Sequence, residues 1–185
     1  MEQLTTTDFA RLFGAERLPA AAEALIASGN FGFEDLGCAA RDELILSLLR
    51  SADSADLSAA GPDRQGDWEQ GWGENLAAFE ASGDVADLVP RYFKPNLPIR
   101  LEGRFVETSD PDFYRHYTDV FRHWVFRHFF ADVERVFEFG CGSGNHVAFL
   151  AELFPEKEIV GLDWARASQA ILDAVARVKG LRVKG

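Results

Sequence analysis

Apolar residues recur along this chain at spacings that change from segment to segment. Over residues 39–49, Leu44 and Leu48, with Ile45 and Leu49, lie four apart, which predicts an amphipathic helix. Trp68, Trp72, Leu76 and Phe79 form a similar stripe over 67–81 and read as a core-facing helix side in preference to a substrate platform. Phe113, Tyr117, Val120 and Trp124 do the same over 113–130. Shorter helical stretches are expected at 8–13 and 20–27, the second started by Pro19 and stopped by Ser28-Gly29-Asn30. The first ninety residues thus read as short helices with polar breaks, and 51–61, rich in Ser, Ala and Asp, as a loop. Pro90, Pro95 and Pro98 then exclude a helix. Ile99, Leu101 and Phe105 alternate with Arg100, Glu102 and Arg104, the pattern of an extended connector, hairpin or edge strand. Asp110-Pro111 supplies an N-cap followed by proline at the first helical position.

From residue 133 short apolar runs alternate with helical stretches. Strands are expected at 135–139 and 159–162, and helices at 145–154 and 165–178. Ile171, Leu172, Val175 and Val178 would face inward, and 181–183 would begin a third strand. The expected organisation is a helical cap or substrate region over 1–109, including the connector, and an α/β half-domain over 110–185.

The first of these strands breaks into a turn with glycine at every second position: Glu138-Phe139-Gly140-Cys141-Gly142-Ser143-Gly144. Gly140, Gly142 and Gly144 permit backbone angles closed to other residues and leave room for a ligand against the main chain. Such a turn is expected to offer free N–H groups to a carboxylate or phosphate at the start of the next helix. Glu138 is placed to accept from an ammonium group. Asp163, at the end of the second strand, is placed to accept from the hydroxyls of a ribose. A dinucleotide fingerprint, GxGxxG, requires a third glycine at 145 or 147; Asn145 and Val147 stand there.

The pattern is instead ExGxGxG, followed by Val160-Gly161-Leu162-Asp163. It resembles the first and second motifs of the class I S-adenosylmethionine-dependent methyltransferases, over about residues 133–178. The resemblance implies a Rossmann-like, doubly wound sheet, here in part, preceded by a mainly helical region. It implies S-adenosyl-L-methionine as cofactor. Gly140, Cys141, Gly142 and Gly144 would lie along its methionine part, Glu138 at its amino end, Asp163 at its ribose and Trp164 on its adenine. The 113–130 helix would precede the first strand and cover the cofactor. The family's catalytic groups lie on later strands, so the resemblance names no catalytic residue. It also implies a truncated product, an N-terminal piece, or a part completed by a second copy or a complementing chain. The expected activity is methyl transfer to a small molecule, with a sugar or metabolite in view. The alternative is a non-catalytic cofactor-binding or interaction module of a split enzyme.

Composition narrows the partners. The 185 residues are 47% hydrophobic and 26% charged, with sixteen Phe and four Trp, ample for a packed core. A net charge of −11 argues against a chain-wide grip on nucleic acid or anionic lipid. No run of about eighteen apolar residues suggests a membrane span, and no secretory leader pattern opens the chain, so a cytoplasmic protein is expected. Cys38 and Cys141 form no metal or disulfide pattern, and Cys141 reads as a small filler in the turn. His116, His123 and His128 share one helix without a metal-ligand pattern, and no metal is expected. His146 follows the glycine turn and reads equally as a ligand contact or a capping or surface residue. Arg91, Lys94, Arg100 and Arg104 make the connector basic and read as solvated charge.

Overall fold

The computed structural model describes residues 1–53 and 64–185. Its first elements are β1 (Glu2–Gln3), α1 (Thr6–Phe13), α2 (Ala20–Ser28), β2 (Gly32–Asp35), α3 (Cys38–Ala52) and α4 (Gln65–Ser82). A 3-10 turn (Val85–Leu88) follows, then β3 (Ile99–Leu101), β4 (Arg104–Thr108) and α5 (Phe113–Phe130). The chain continues with β5 (Arg135–Phe139), α6 (Asn145–Leu153), β6 (Glu158–Leu162), α7 (Arg166–Lys179) and β7 (Val183–Lys184). The contacts group these into two compact bodies interleaved in sequence: Met1–Ser58 with Phe93–Ala131, and Ala59–Tyr92 with Asp132–Gly185. The fold is mixed α/β with one three-stranded parallel sheet. The loop expected at 51–61 falls mostly outside the described residues; Ser51 and Ala52 continue α3.

The first body is not only helical. It holds an antiparallel sheet of order β1-β2-β4-β3, whose first two strands escaped the sequence reading because two and four residues are too short to show a period. Leu101 and Arg104 pair across a two-residue turn in which Glu102 and Gly103 have φ of 48° and 85°. Both angles are left-handed, as a tight hairpin requires, and Arg11 holds the Glu102 carboxylate at 2.5 Å. Thr5 and Asp8 form a capping box at the start of α1. The core is aromatic: Phe9 packs edge-on against Phe31 with centroids 4.9 Å apart, and Phe31 against Phe113 at 5.6 Å. Helix α5 packs on α2. It starts at Phe113 with Asp112 as its N-cap, so Asp110 is not the cap and Pro111 not the first helical residue; Asp110 instead accepts from Asp112 N in the preceding turn and lies 2.6 Å from His116 Nδ1. Helix α3 forms as its leucine spacing predicts, yet none of its residues is buried.

The second body carries the parallel sheet, of order β5-β6-β7. Glu138 pairs in register with Gly161, and Phe139 with Leu162. Strands and helices here follow the sequence expectation to within a residue or two. Ile159, Ile171, Leu172, Val147 and Val175 fill the space between β6 and its helices. A Cβ on Gly161 would stand 2.7 Å from Leu172 Cδ1, so only glycine lets α7 approach the sheet this closely.

Helix α4 packs along α7. Glu69 seals that contact by accepting from Arg166 N at 2.7 Å and Ala167 N at 2.9 Å, which satisfies amides in the first turn of α7. These two backbone hydrogen bonds hold the Glu69 carboxyl below its usual value of 4.5. A lowered carboxyl pKa stabilises the fold above the unfolded value, and that contribution is lost as pH falls through the folded one. Glu69→Gln is therefore expected to melt below the wild type at neutral pH. The difference should close as the pH is taken well below 4.5, read by thermal unfolding across pH. A gap that stays constant with pH would show that the Glu69 charge does not cap α7.

Candidate functional site

After Phe139 the chain folds back over the end of β6, with φ of 74°, 53° and 68° at Gly140, Gly142 and Gly144. Gly140 N and Cys141 N both donate to Leu162 O, at 2.7 and 3.2 Å. Gly144 N donates to Cys141 O at 2.8 Å, and Gly142 N to Asp163 Oδ2 at 2.9 Å. The sequence suggests a turn whose amides await an anion; in the structure these four are consumed by the fold itself. The glycines also differ in what surrounds them. A Cβ on Gly140 would meet nothing within 4 Å, whereas one on Gly142 would stand 2.9 Å from Trp72 Cζ2.

Asp163 joins two turns. Its Oδ1 accepts from Ala165 N at 2.8 Å while Oδ2 accepts from Gly142 N. Each carboxylate oxygen keeps a second acceptor site. Glu138 lies at the end of β5. Its Oε1 is 3.3 Å from His146 Nδ1, and its Oε2 is buried and accepts no hydrogen bond from a described residue. A buried carboxylate oxygen without a donor is costly and calls for a partner.

These residues open into one cleft of about 430 Å³ in the second body. Glu138, Gly140, Cys141, Gly142, Asp163 and Trp164 line it, with Ser143, Asn145, His146, Trp68, Trp72, Pro90 and Tyr92. Of the residues selected from sequence, Gly144 alone is not in the lining; a Cβ there would stand 3.0 Å from Leu172 Cδ2, so this glycine serves helix packing. Trp164 is half exposed at the rim. The 113–130 helix, expected to cover a cofactor, belongs to the first body, whereas the cleft lies within the second.

Trp68 and Trp72 depart from the core stripe assigned to them. Phe79 on the same helix is fully buried, but Trp68 is 36% exposed and both tryptophans line the cleft. Their rings stack at 5.6 Å, and Trp72 rests on Gly142. Helical spacing identified one apolar face; it held no sign that the first half of that face borders a cavity. The polar anchors of α4 were equally silent. Buried Asn75 donates to Asp87 O and Val89 O, and Ser143 Oγ donates to Leu88 O at 2.6 Å, which ties the glycine turn to the segment after α4.

Cys141 is buried, and burial, reinforced by the carboxylates of Asp163 and Glu138, pushes its thiol up to about 12. It is a packing group with no nucleophilic character near neutral pH. His116 is occupied by Asp110, and no group of three metal-ligating side chains converges among the described residues. Among these residues no helix is long and apolar enough to cross a membrane. No protein-family model, curated protein or solved structure matches the chain.

Gly140→Ala should cost only the left-handed backbone penalty, about 1–2 kcal/mol. Gly142→Val adds a collision with Trp72 and should cost about 1–3 kcal/mol more in denaturant unfolding. Equal losses would show that Trp72 does not pack on the turn. In the native protein at pH 8, a thiol reagent should modify Cys38, which is exposed, and leave Cys141 untouched until the chain unfolds. Two equally fast thiols would contradict the buried position of Cys141.

Proposed function

We propose that the second body binds S-adenosyl-L-methionine in this cleft and serves methyl transfer to a small-molecule acceptor, on a Rossmann-like methyltransferase scaffold. The observation that carries the reading is the buried Glu138 Oε2, which lacks a donor beside a glycine turn. The ammonium of a methionine moiety would supply that donor. The remaining acceptor sites of Asp163 suit the two hydroxyls of a ribose, and the half-exposed Trp164 suits an adenine face. The fit is incomplete at one point. The amides of Gly140, Cys141, Gly142 and Gly144 are engaged, so a methionine carboxylate would turn to Asn145, which also lines the cleft. The bound cofactor would supply an activated methyl group. The protein's own part is to hold it in line with the acceptor, since such positioning is the main source of rate for a transfer of this kind.

A second reading, a non-catalytic cofactor-binding or interaction module, draws on strand β5. It ends the order of the parallel sheet and exposes Phe137 and Phe139, the latter at 80%. Exposed apolar side chains on a terminal strand favour association.

Thermal unfolding with S-adenosylhomocysteine separates these from a purely structural turn. Saturating ligand at a hundredfold over Kd should stabilise the protein by about 2.7 kcal/mol. Glu138→Gln and Asp163→Asn should each weaken binding by roughly ten- to a hundredfold, the worth of a charged hydrogen bond. A cooperative transition that ignores the ligand would remove the cofactor reading.

A further inference from the structure

The cleft is wider in chemistry than one cofactor needs. With Glu138, Asp163 and Trp164 assigned to the cofactor, Trp68, Trp72, Pro90 and Tyr92 form the remaining aromatic wall of the cleft. Two of its rings are well exposed, Trp68 at 36% and Tyr92 at 61%. Exposed aromatic rings that converge on a concavity are a binding surface for another flat or apolar group.

Charge then selects among such groups. Among the described residues the lining includes two carboxylates, the imidazole of His146 and no lysine or arginine. Arg64 lies 5.6 Å from the Trp68 ring centroid and is tied to Asp67; it is not among the lining residues. Arg91 is paired with Glu74. The backbone amides of Gly140, Cys141, Gly142 and Gly144 are engaged within the fold. An anionic group on the ring wall would face the two carboxylates with no lysine or arginine among the described lining residues, which disfavours it where water is partly excluded, while the methionine carboxylate of the cofactor is assigned to Asn145. A cation would gain from both the carboxylates and the ring faces, and the Arg64 guanidinium over Trp68 shows that ring already accepting one.

We infer that the wall of Trp68, Trp72, Pro90 and Tyr92 is a subsite for an aromatic ring compound that is neutral or cationic, and that it excludes anionic ones. Resting on the methyl-transfer reading, this makes the acceptor a ring compound such as a phenol or an arylalkylamine, and not a phosphorylated or carboxylated metabolite.

Three small probes that share a phenol ring test it: tyramine, 4-ethylphenol and 4-hydroxyphenylacetate, each titrated by ligand-observed NMR with and without S-adenosylhomocysteine. Tyramine and 4-ethylphenol are expected to bind, and the carboxylate at least about tenfold more weakly. Trp68→Ala should weaken tyramine by at least about tenfold, and Tyr92→Ala, at a well-exposed position, serves as a second variant. Cooperative melting of both variants is checked first. Binding of the carboxylate as tight as that of tyramine, or affinities unchanged in both variants, would overturn the inference. The two readings fail separately: tyramine binding lost with Tyr92→Ala while S-adenosylhomocysteine never binds would keep the ring subsite and remove the cofactor.

Discussion

The geometry of the second body depends on the position of one carboxylate. Parallel strands have no hairpin to fix how their ends relate. Strands β5 and β6 lie side by side, and each runs into a turn and then a helix. Asp163 lies at the end of β6 and accepts from Gly142 in one turn and Ala165 in the other. Leu162 O, one residue earlier, receives two more amides, from Gly140 and Cys141. The last residue of β6 and the residue that follows it therefore hold the glycine turn in place. The same bonds decide that the turn's amides are not offered to an anion, so the local fold and the ligand chemistry follow from one arrangement.

Helix α4, far from this turn in sequence, completes it. Trp72 fills the space over Gly142, Glu69 satisfies the first amides of α7, and Asn75 with Ser143 ties the 3-10 segment between them. Most of these contacts are polar and directional. Apolar burial alone would let α4 slide along α7, whereas a buried amide or hydroxyl has a partner in only one position. The precise seat of α4 is what puts Trp68 at the cleft and leaves Phe79 in the core.

The first body is organised differently, by aromatic packing against a short antiparallel sheet. Its hairpin places Glu102 in a left-handed conformation that a glutamate adopts at some cost, and Arg11 pairs with the Glu102 carboxylate. Its strands are brief and its core residues come from α1, α2, α5 and the sheet, all separated in sequence.

By itself, the sequence determined the parallel sheet, its two helices and the position of the glycine turn. Strands β5 and β6 and their helices are each longer than one period of their own pattern, and Gly140, Gly142 and Asp163 stand where strand ends must be. Length explains why β1 and β2 were not legible, since two to four residues carry no period. Tertiary structure alone decided three things. It spent the amides of Gly140, Cys141 and Gly142 on Leu162 and Asp163, it left Glu138 Oε2 without a donor, and it turned Trp68 and Trp72 from a core stripe into a cavity wall. A helical stripe states that one face is apolar; whether protein or open space lies against it depends on segments distant in the chain. For the same reason a backbone amide, which every residue type carries, reveals its partner only when the fold has brought the two together.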